Sequence, residues 1–112
     1  IDIRETEENT VITSNFFNIG RVVVTWSIND YMSKESKFAA EIVSALHRYA
    51  QKDWGNLDEE DKQTNEEALK FPDDLYLMGA YDTSKGKIWI ITNNISEIPG
   101  DTATTICFPD ER

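Results

Sequence analysis

The chain has 112 residues, a length that fits one domain and allows roughly two thirds of the unfolded surface to be buried around one modest core. Hydrophobic residues at 39%, charged residues at 29% and an aromatic set of 3 Trp, 4 Tyr and 5 Phe exclude disorder over most of the chain. A net charge of −10, from 21 acidic against 11 basic side chains, disfavours direct binding of nucleic-acid phosphates and of anionic membranes; it suits plain solubility, a basic protein partner, or a carboxylate surface that imitates nucleic acid.

Residues 1–9 carry Asp2, Glu5, Glu7 and Glu8 against Arg4 and read as a loose acidic terminus. Val11-Ile12 and Phe16-Phe17 suit a short strand leading to a turn at Asn18-Ile19-Gly20. Arg21-Val22-Val23-Val24-Thr25-Trp26 is the first clear strand, because consecutive valines are stiff at χ1 and fit a pleated surface. Ser27-Ile28-Asn29-Asp30 has the spacing of a capping box and predicts a short helix through about Met32.

Residues 36–52 read as the main helix. Phe38, Ile42, Leu46 and Tyr49 recur at helical spacing, Ala39, Val43 and Ala50 widen the stripe, and Glu41, Arg48 and Lys52 fit the wet side. His47 falls at the edge of the stripe. Asp53-Trp54-Gly55-Asn56-Leu57-Asp58-Glu59-Glu60-Asp61 then reads as a helix end, a tight corner and a helix start. Trp54 can bury its ring at the corner, and Gly55 can take the left-handed conformation that ends a helix. Asp58 can cap a second helix over residues 59–70, whose first turn sets Glu59, Glu60 and Asp61 against the positive end of the dipole. The apolar side of that helix is thin, with Ala68, Leu69 and the preceding Leu57, so it belongs at the surface. Pro72 closes it.

Residues 75–81 read as a strand, 82–86 as a turn ending in Gly86, and 87–92 as the hairpin partner. That partner strand is apolar on both faces and belongs inside the sheet. A loop over 93–103 carries the turn signal Pro99-Gly100, and Thr104-Thr105-Ile106-Cys107-Phe108 is the last strand, stopped by Pro109. Together these elements predict one α+β domain over residues 1–112: a mainly antiparallel sheet of four to five strands with two helices packed on one face.

Taken in order, Asp53-Trp54-Gly55, Leu57, Glu60-Asp61, Asn65, Ala68-Leu69, Lys87-Ile88-Trp89-Ile90-Ile91-Thr92, and Thr104-Thr105 ahead of Phe108-Pro109 resemble a family of small bacterial proteins found on plasmids and other mobile elements, the plasmid-related proteins. The similarity runs over residues 20–109, and the segment before Gly20 is an addition to the pattern. The resemblance implies a bacterial, cytoplasmic, mobile-element origin and carries no catalytic residue across.

Cys107 is the single cysteine, so no internal disulfide can form, which suits a reducing compartment. No apolar run approaches the roughly 20 residues that cross a bilayer. No signal peptide is visible, although a chain that begins at Ile1 rather than Met leaves a removed leader open. Phosphate-binding glycine loops and paired CxxC motifs are absent, and the sequence assigns no cofactor, no metal and no catalytic residue. Asp58 and Asp61 with His47 are the combination that invites a metal ion, but the oxygen-rich loop spacing of a calcium site is missing. His47, the single histidine, is the sole candidate for a physiological acid–base group and has no nucleophile motif around it, so it reads as a packed or half-exposed helical residue. Cys107 and the rings of Trp54 and Trp89 read as core. Asn65 reads as a structural amide serving backbone groups of the 53–57 corner.

The remaining feature is the segment 53–74, in which nine acids stand against Lys62 and Lys70. Asp58, Glu59, Asp61, Glu66 and Glu67, with Trp26 as an aromatic at a strand end, are the candidate partner-binding residues, since opposite potentials steer association. The leading expectation is a non-enzymatic accessory or interaction protein of a bacterial mobile element, with a basic protein as partner. Two alternatives stay open. An acidic mimic of DNA that inhibits a restriction or other nucleic-acid-binding host enzyme requires carboxylates spaced like phosphates, roughly 6–7 Å apart along a ridge. A metal-dependent hydrolase requires a pocket holding His47 or at least two carboxylates with raised pKa.

Overall fold

The computed structural model describes residues 3–5, 17, 19–70, 77–93 and 102–111. Along the chain come β1 (Ile3–Glu5), β2 (Arg21–Thr25), α1 (Trp26–Lys34), α2 (Ser36–Ala50), α3 (Glu59–Lys70), β3 (Leu77–Thr83), β4 (Gly86–Asn93), β5 (Ala103–Cys107) and a closing 3-10 turn at Pro109–Glu111. The strand expected at Val11-Ile12 and Phe16, the stop at Pro72, the strand start at 75–76 and the turn at Pro99-Gly100 lie outside the described residues.

The class is α+β, and the five strands are ordered β1-β2-β5-β4-β3. Three neighbouring pairs are antiparallel, but β2 and β5 run parallel, with Val22 opposite Thr104 and Val24 opposite Ile106. The sheet is thus mainly antiparallel, as expected, with one parallel pair that makes it mixed. The reason is directional. β5 turns back from β4, and when it slots in beside β2 it runs the same way as β2. The chain between those two strands is then a long crossover containing all three helices, as parallel neighbours require. Within the terminus expected to be loose, Ile3–Glu5 pairs antiparallel with β2.

Alternation along the strands brings Val24, Leu77, Tyr81, Ile88, Ile90 and Ile106 into one cluster with Ile28 of α1 and Phe38, Ile42, Leu46 and Tyr49 of α2. Burying each such side chain contributes about 1.5–3 kcal/mol. β4 lies between β5 and β3, and Ile88, Ile90 and Ile91 are all buried, as a strand apolar on both faces requires. Trp54 is buried, whereas Trp89 is only partly so.

Three local expectations change. α1 starts two residues earlier than a Ser27 cap would allow: Thr25 stands at the N-cap without a side-chain cap bond. The Thr25 hydroxyl instead donates to Glu111 Oε1 at 2.8 Å, tying the closing turn to the start of α1. α1 also runs past Met32 to Lys34, whose ammonium pairs with Asp30 at 3.1 Å one turn back.

α2 ends before Gly55. Lys52 N–H donates to Tyr49 O at 3.1 Å, Asp53 N–H donates to Arg48 O at 2.9 Å, and Lys52 itself takes φ +67°. This is the Schellman arrangement with a lysine where glycine is usual. Tertiary contacts of the next residues fix the reversal, so the penalty of about 1–2 kcal/mol for a left-handed non-glycine is tolerated.

The turn between β3 and β4 is shorter than expected. Thr83 pairs with Gly86, leaving only Ser84 and Lys85 as the loop. The Thr83 hydroxyl donates to Gly86 O at 2.6 Å and accepts Lys85 N–H at 3.1 Å, so the loop is three residues shorter than the polar run suggests.

Candidate functional site

α3 and the corner that precedes it carry most of the candidate residues. Asp58 Oδ1 accepts the Asp61 N–H at 2.9 Å, and Asp58 O accepts the Lys62 N–H at 3.0 Å, so the helix is capped where the sequence predicts. Glu59, Glu60 and Asp61 fill its first turn. Only Asn65 and Ala68 are buried along its length.

Asn65 does not serve the 53–57 corner. Its Nδ2 donates to Met78 O at 2.8 Å and its Oδ1 accepts Met78 N–H at 3.1 Å. The carboxamide thus copies a peptide group of a neighbouring strand and completes the outer edge of β3. The corner supplies its own bonds: Ala80 N–H donates to Trp54 O at 3.1 Å, and Asn56 N–H donates to Ala80 O at 2.7 Å. Gly55 lies against this edge. A Cβ there would stand 2.0 Å from Ala80 O and 2.8 Å from the Tyr81 ring, at φ +74°. Glycine is required at 55 by close approach to β3, not by a helix end.

The corner is anchored from both sides. Trp54 packs on Tyr49 at 5.5 Å and on Phe17 at 6.1 Å, and its Nε1 donates to Glu66 Oε2 at 3.2 Å. Lys52 Nζ lies 3.1 Å from the other Glu66 oxygen. Arg48 grips Asp53 with two bonds, at 2.7 and 3.2 Å, and its guanidinium lies 5.2 Å from the Tyr81 ring centroid. The Arg48 bonds hold the Asp53 carboxyl below the usual range, and Asp53 holds the guanidinium pKa above its own.

The acids on α3 thus divide by what they touch. Asp58 caps, Glu66 ties α3 to Trp54 and Lys52, and Glu59 stands 3.7 Å from Lys62. Glu60, Asp61 and Glu67 are exposed and have no cation within ion-pair distance among the described residues. Glu60 and Glu67 are two turns apart, about 10.5 Å along the axis, with uncharged Gln63 between them. Asp73 and Asp74 lie outside the described residues.

Trp26 does not join this surface. It follows β2, which is separated from β3 by β5 and β4, three strand spacings or roughly 14 Å across the sheet. Its ring is 53% exposed, the most open large hydrophobic side chain described.

Sequence reasoning missed a shallow depression of about 320 Å³ between α2 and the start of the β3–β4 hairpin, lined by Lys37, Ala40, Glu41, Ser44, Arg48 and Tyr81 among others. Glu41 reaches across 43 residues of chain to accept both the N–H and the hydroxyl of Ser84, the shortest bond being 2.6 Å. Those bonds hold the Glu41 carboxyl below its ordinary range. A local signal for this pairing does not exist, because Glu41 reads only as a wet-side helix residue. His47 is exposed on α2 and does not line the depression, and Cys107 is buried in β5. Among the described residues no group of three His, Cys, Asp or Glu side chains stands close enough to hold a metal ion. No helix among them is long and apolar enough to cross a membrane.

Compared with protein-family models, with curated proteins and with solved structures, the chain matches none.

Proposed function

We propose that this protein is a non-enzymatic interaction module that presents the acidic face of α3 to a basic protein partner. The observation that carries this reading is Glu67. The capping, tying and docking of α3 are done by Asp58, Glu66, Asn65 and Ala68. Glu59, Glu60 and Asp61 also gain from the dipole at the helix start, but Glu67 sits in the last turns, where negative charge is disfavoured. It is exposed and makes no ion pair among the described residues. A cationic partner supplies the missing stabilisation and is drawn in by the same potential.

The setting we propose, a bacterial cytoplasm and a mobile element, rests on the resemblance of the 53–69 and 87–109 motifs and on the single cysteine. The DNA-mimic alternative is less well supported. Its ridge of phosphate-like charges is interrupted by Gln63 and by Lys62 and Lys52, which pair with Glu59 and Glu66. The hydrolase alternative needs carboxyls with raised pKa, whereas Glu41 in the depression is held ionised by Ser84.

The test is affinity capture from a bacterial lysate with the wild type and with the double variant Glu60→Lys/Glu67→Lys. The expected result is a basic protein retained at low salt by the wild type, released at high salt, and not retained by the variant. Equal recovery by both proteins overturns the proposal.

A further inference from the structure

We propose that α3 is a detachable strap closing the outer edge of β3, latched by Asn65 and Glu66, and that it opens without unfolding the rest of the sheet. β3 is the last strand of the sheet among the described residues, and such an edge is a template for pairing with other chains unless it is covered. Here Met78 faces outward, and both its backbone groups are taken by one side chain of α3. Ala80, two residues on, is covered differently, by backbone of the 54–56 corner that Trp54 anchors in the core.

The two covers differ in strength. The corner is held by the buried Trp54, by the Tyr81 hydroxyl donating to Asp53 O at 2.7 Å, and by the Arg48–Asp53 pair. α3 is held by two buried side chains, Asn65 and Ala68, by partly buried Leu57 and Leu69, and by the bonds of Glu66 to Trp54 and Lys52. A segment with so little buried apolar surface belongs to the low end of local stability. Undocking it breaks the Asn65 and Glu66 contacts and leaves the Ala80 bonds and the β3–β4 ladder in place. The opened state exposes one edge position, Met78, and frees the acidic helix from the body. This inference does not depend on a partner and goes beyond the interaction reading.

Native-state amide exchange on the free protein tests it. Met78 and the α3 amides are expected to share one opening with weak denaturant dependence, while Ile90 and Ile106 exchange only through an opening with strong dependence. Glu66→Gln, which changes a partly exposed residue and leaves Asn65 in place, is expected to speed Met78 and the α3 amides together by several-fold. Asn65→Ala is expected to speed them tenfold or more. Exchange of Met78 in step with Ile90, or acceleration of α3 by Glu66→Gln without Met78, overturns the proposal. Because no partner is present, failure here leaves the interaction reading standing, and failed capture leaves the strap standing.

Discussion

The Tyr49 hydroxyl on α2 lies 2.8 Å from Thr92 Oγ1 on β4, at the head of a buried chain of oxygens that continues to Thr104 Oγ1 at 2.7 Å and Ile19 O at 2.6 Å. The directions of these bonds follow from proton count. Ile19 O can only accept, so Thr104 donates its single proton there. Thr92 must then donate to Thr104, and Tyr49 to Thr92. The chain joins α2, β4, β5 and the segment before β2, and each hydroxyl has one possible orientation.

That arrangement predicts unequal costs. Tyr49→Phe removes the first donor and is expected to cost about 1 kcal/mol. Thr92→Val takes out the middle, leaving a buried tyrosine hydroxyl with no acceptor, and is expected to cost about 2–3 kcal/mol. Urea unfolding of the two variants measures the order, and a larger loss for Tyr49→Phe would contradict the assigned directions.

The same tyrosine limits stability in alkali. Burial raises the pKa of both Tyr49 and Tyr81 above that of an exposed tyrosine, with the neighbouring Tyr49 and Asp53 adding to the effect at Tyr81. Since the folded values lie above the unfolded value of about 10, the unfolded chain releases these protons first. The contribution of the two rings is complete below about pH 10 and declines as pH rises from there toward the folded values. Spectrophotometric titration alongside circular dichroism is expected to show Tyr49 and Tyr81 ionising only as the fold is lost. Full tyrosinate absorbance with the fold intact would contradict this.

Asp58 gives a local prediction. Asp58→Ala removes the acceptor for Asp61 N–H and is expected to cost about 1 kcal/mol, whereas Asp58→Asn keeps an acceptor and loses little. Thermal unfolding compares the two. If α3 opens by itself, the loss also shows as faster amide exchange across α3.

Two glycines with positive φ separate crowding from backbone strain. Gly55→Ala meets both the left-handed penalty and the Ala80 carbonyl, and is expected to cost about 2–5 kcal/mol. Gly86→Ala, at φ +107° with nothing within 4 Å of its added carbon, carries strain alone, about 1–2 kcal/mol. Equal melting temperatures for the two variants would show that Gly55 is not crowded.

Much of this molecule is legible from local pattern. The stripe Phe38, Ile42, Leu46 and Tyr49 is buried as its spacing predicts, the 59–70 helix has the predicted bounds, and Asp58 caps it. Each of these depends on residues within a turn or two of one another, where periodicity, capping and helix propensity act. The exposed acids of α3 are legible for the same reason: a helix with a thin apolar side leaves its charges in water.

What the sequence by itself determined, then, is where the two longer helices and the strands β2 to β5 lie along the chain and where the negative charge gathers, whereas the strand at Ile3–Glu5 was not visible in it. Only the tertiary structure decided that β5 inserts parallel to β2, that Lys52 rather than Gly55 reverses the chain after α2, that Asn65 completes the edge of β3, and that Trp26 stands apart from the acids. These are pairings between residues distant along the chain, and each is settled by which strands become neighbours. A backbone group left without a partner at a buried edge is costly, so the side chain nearest in space supplies the bond.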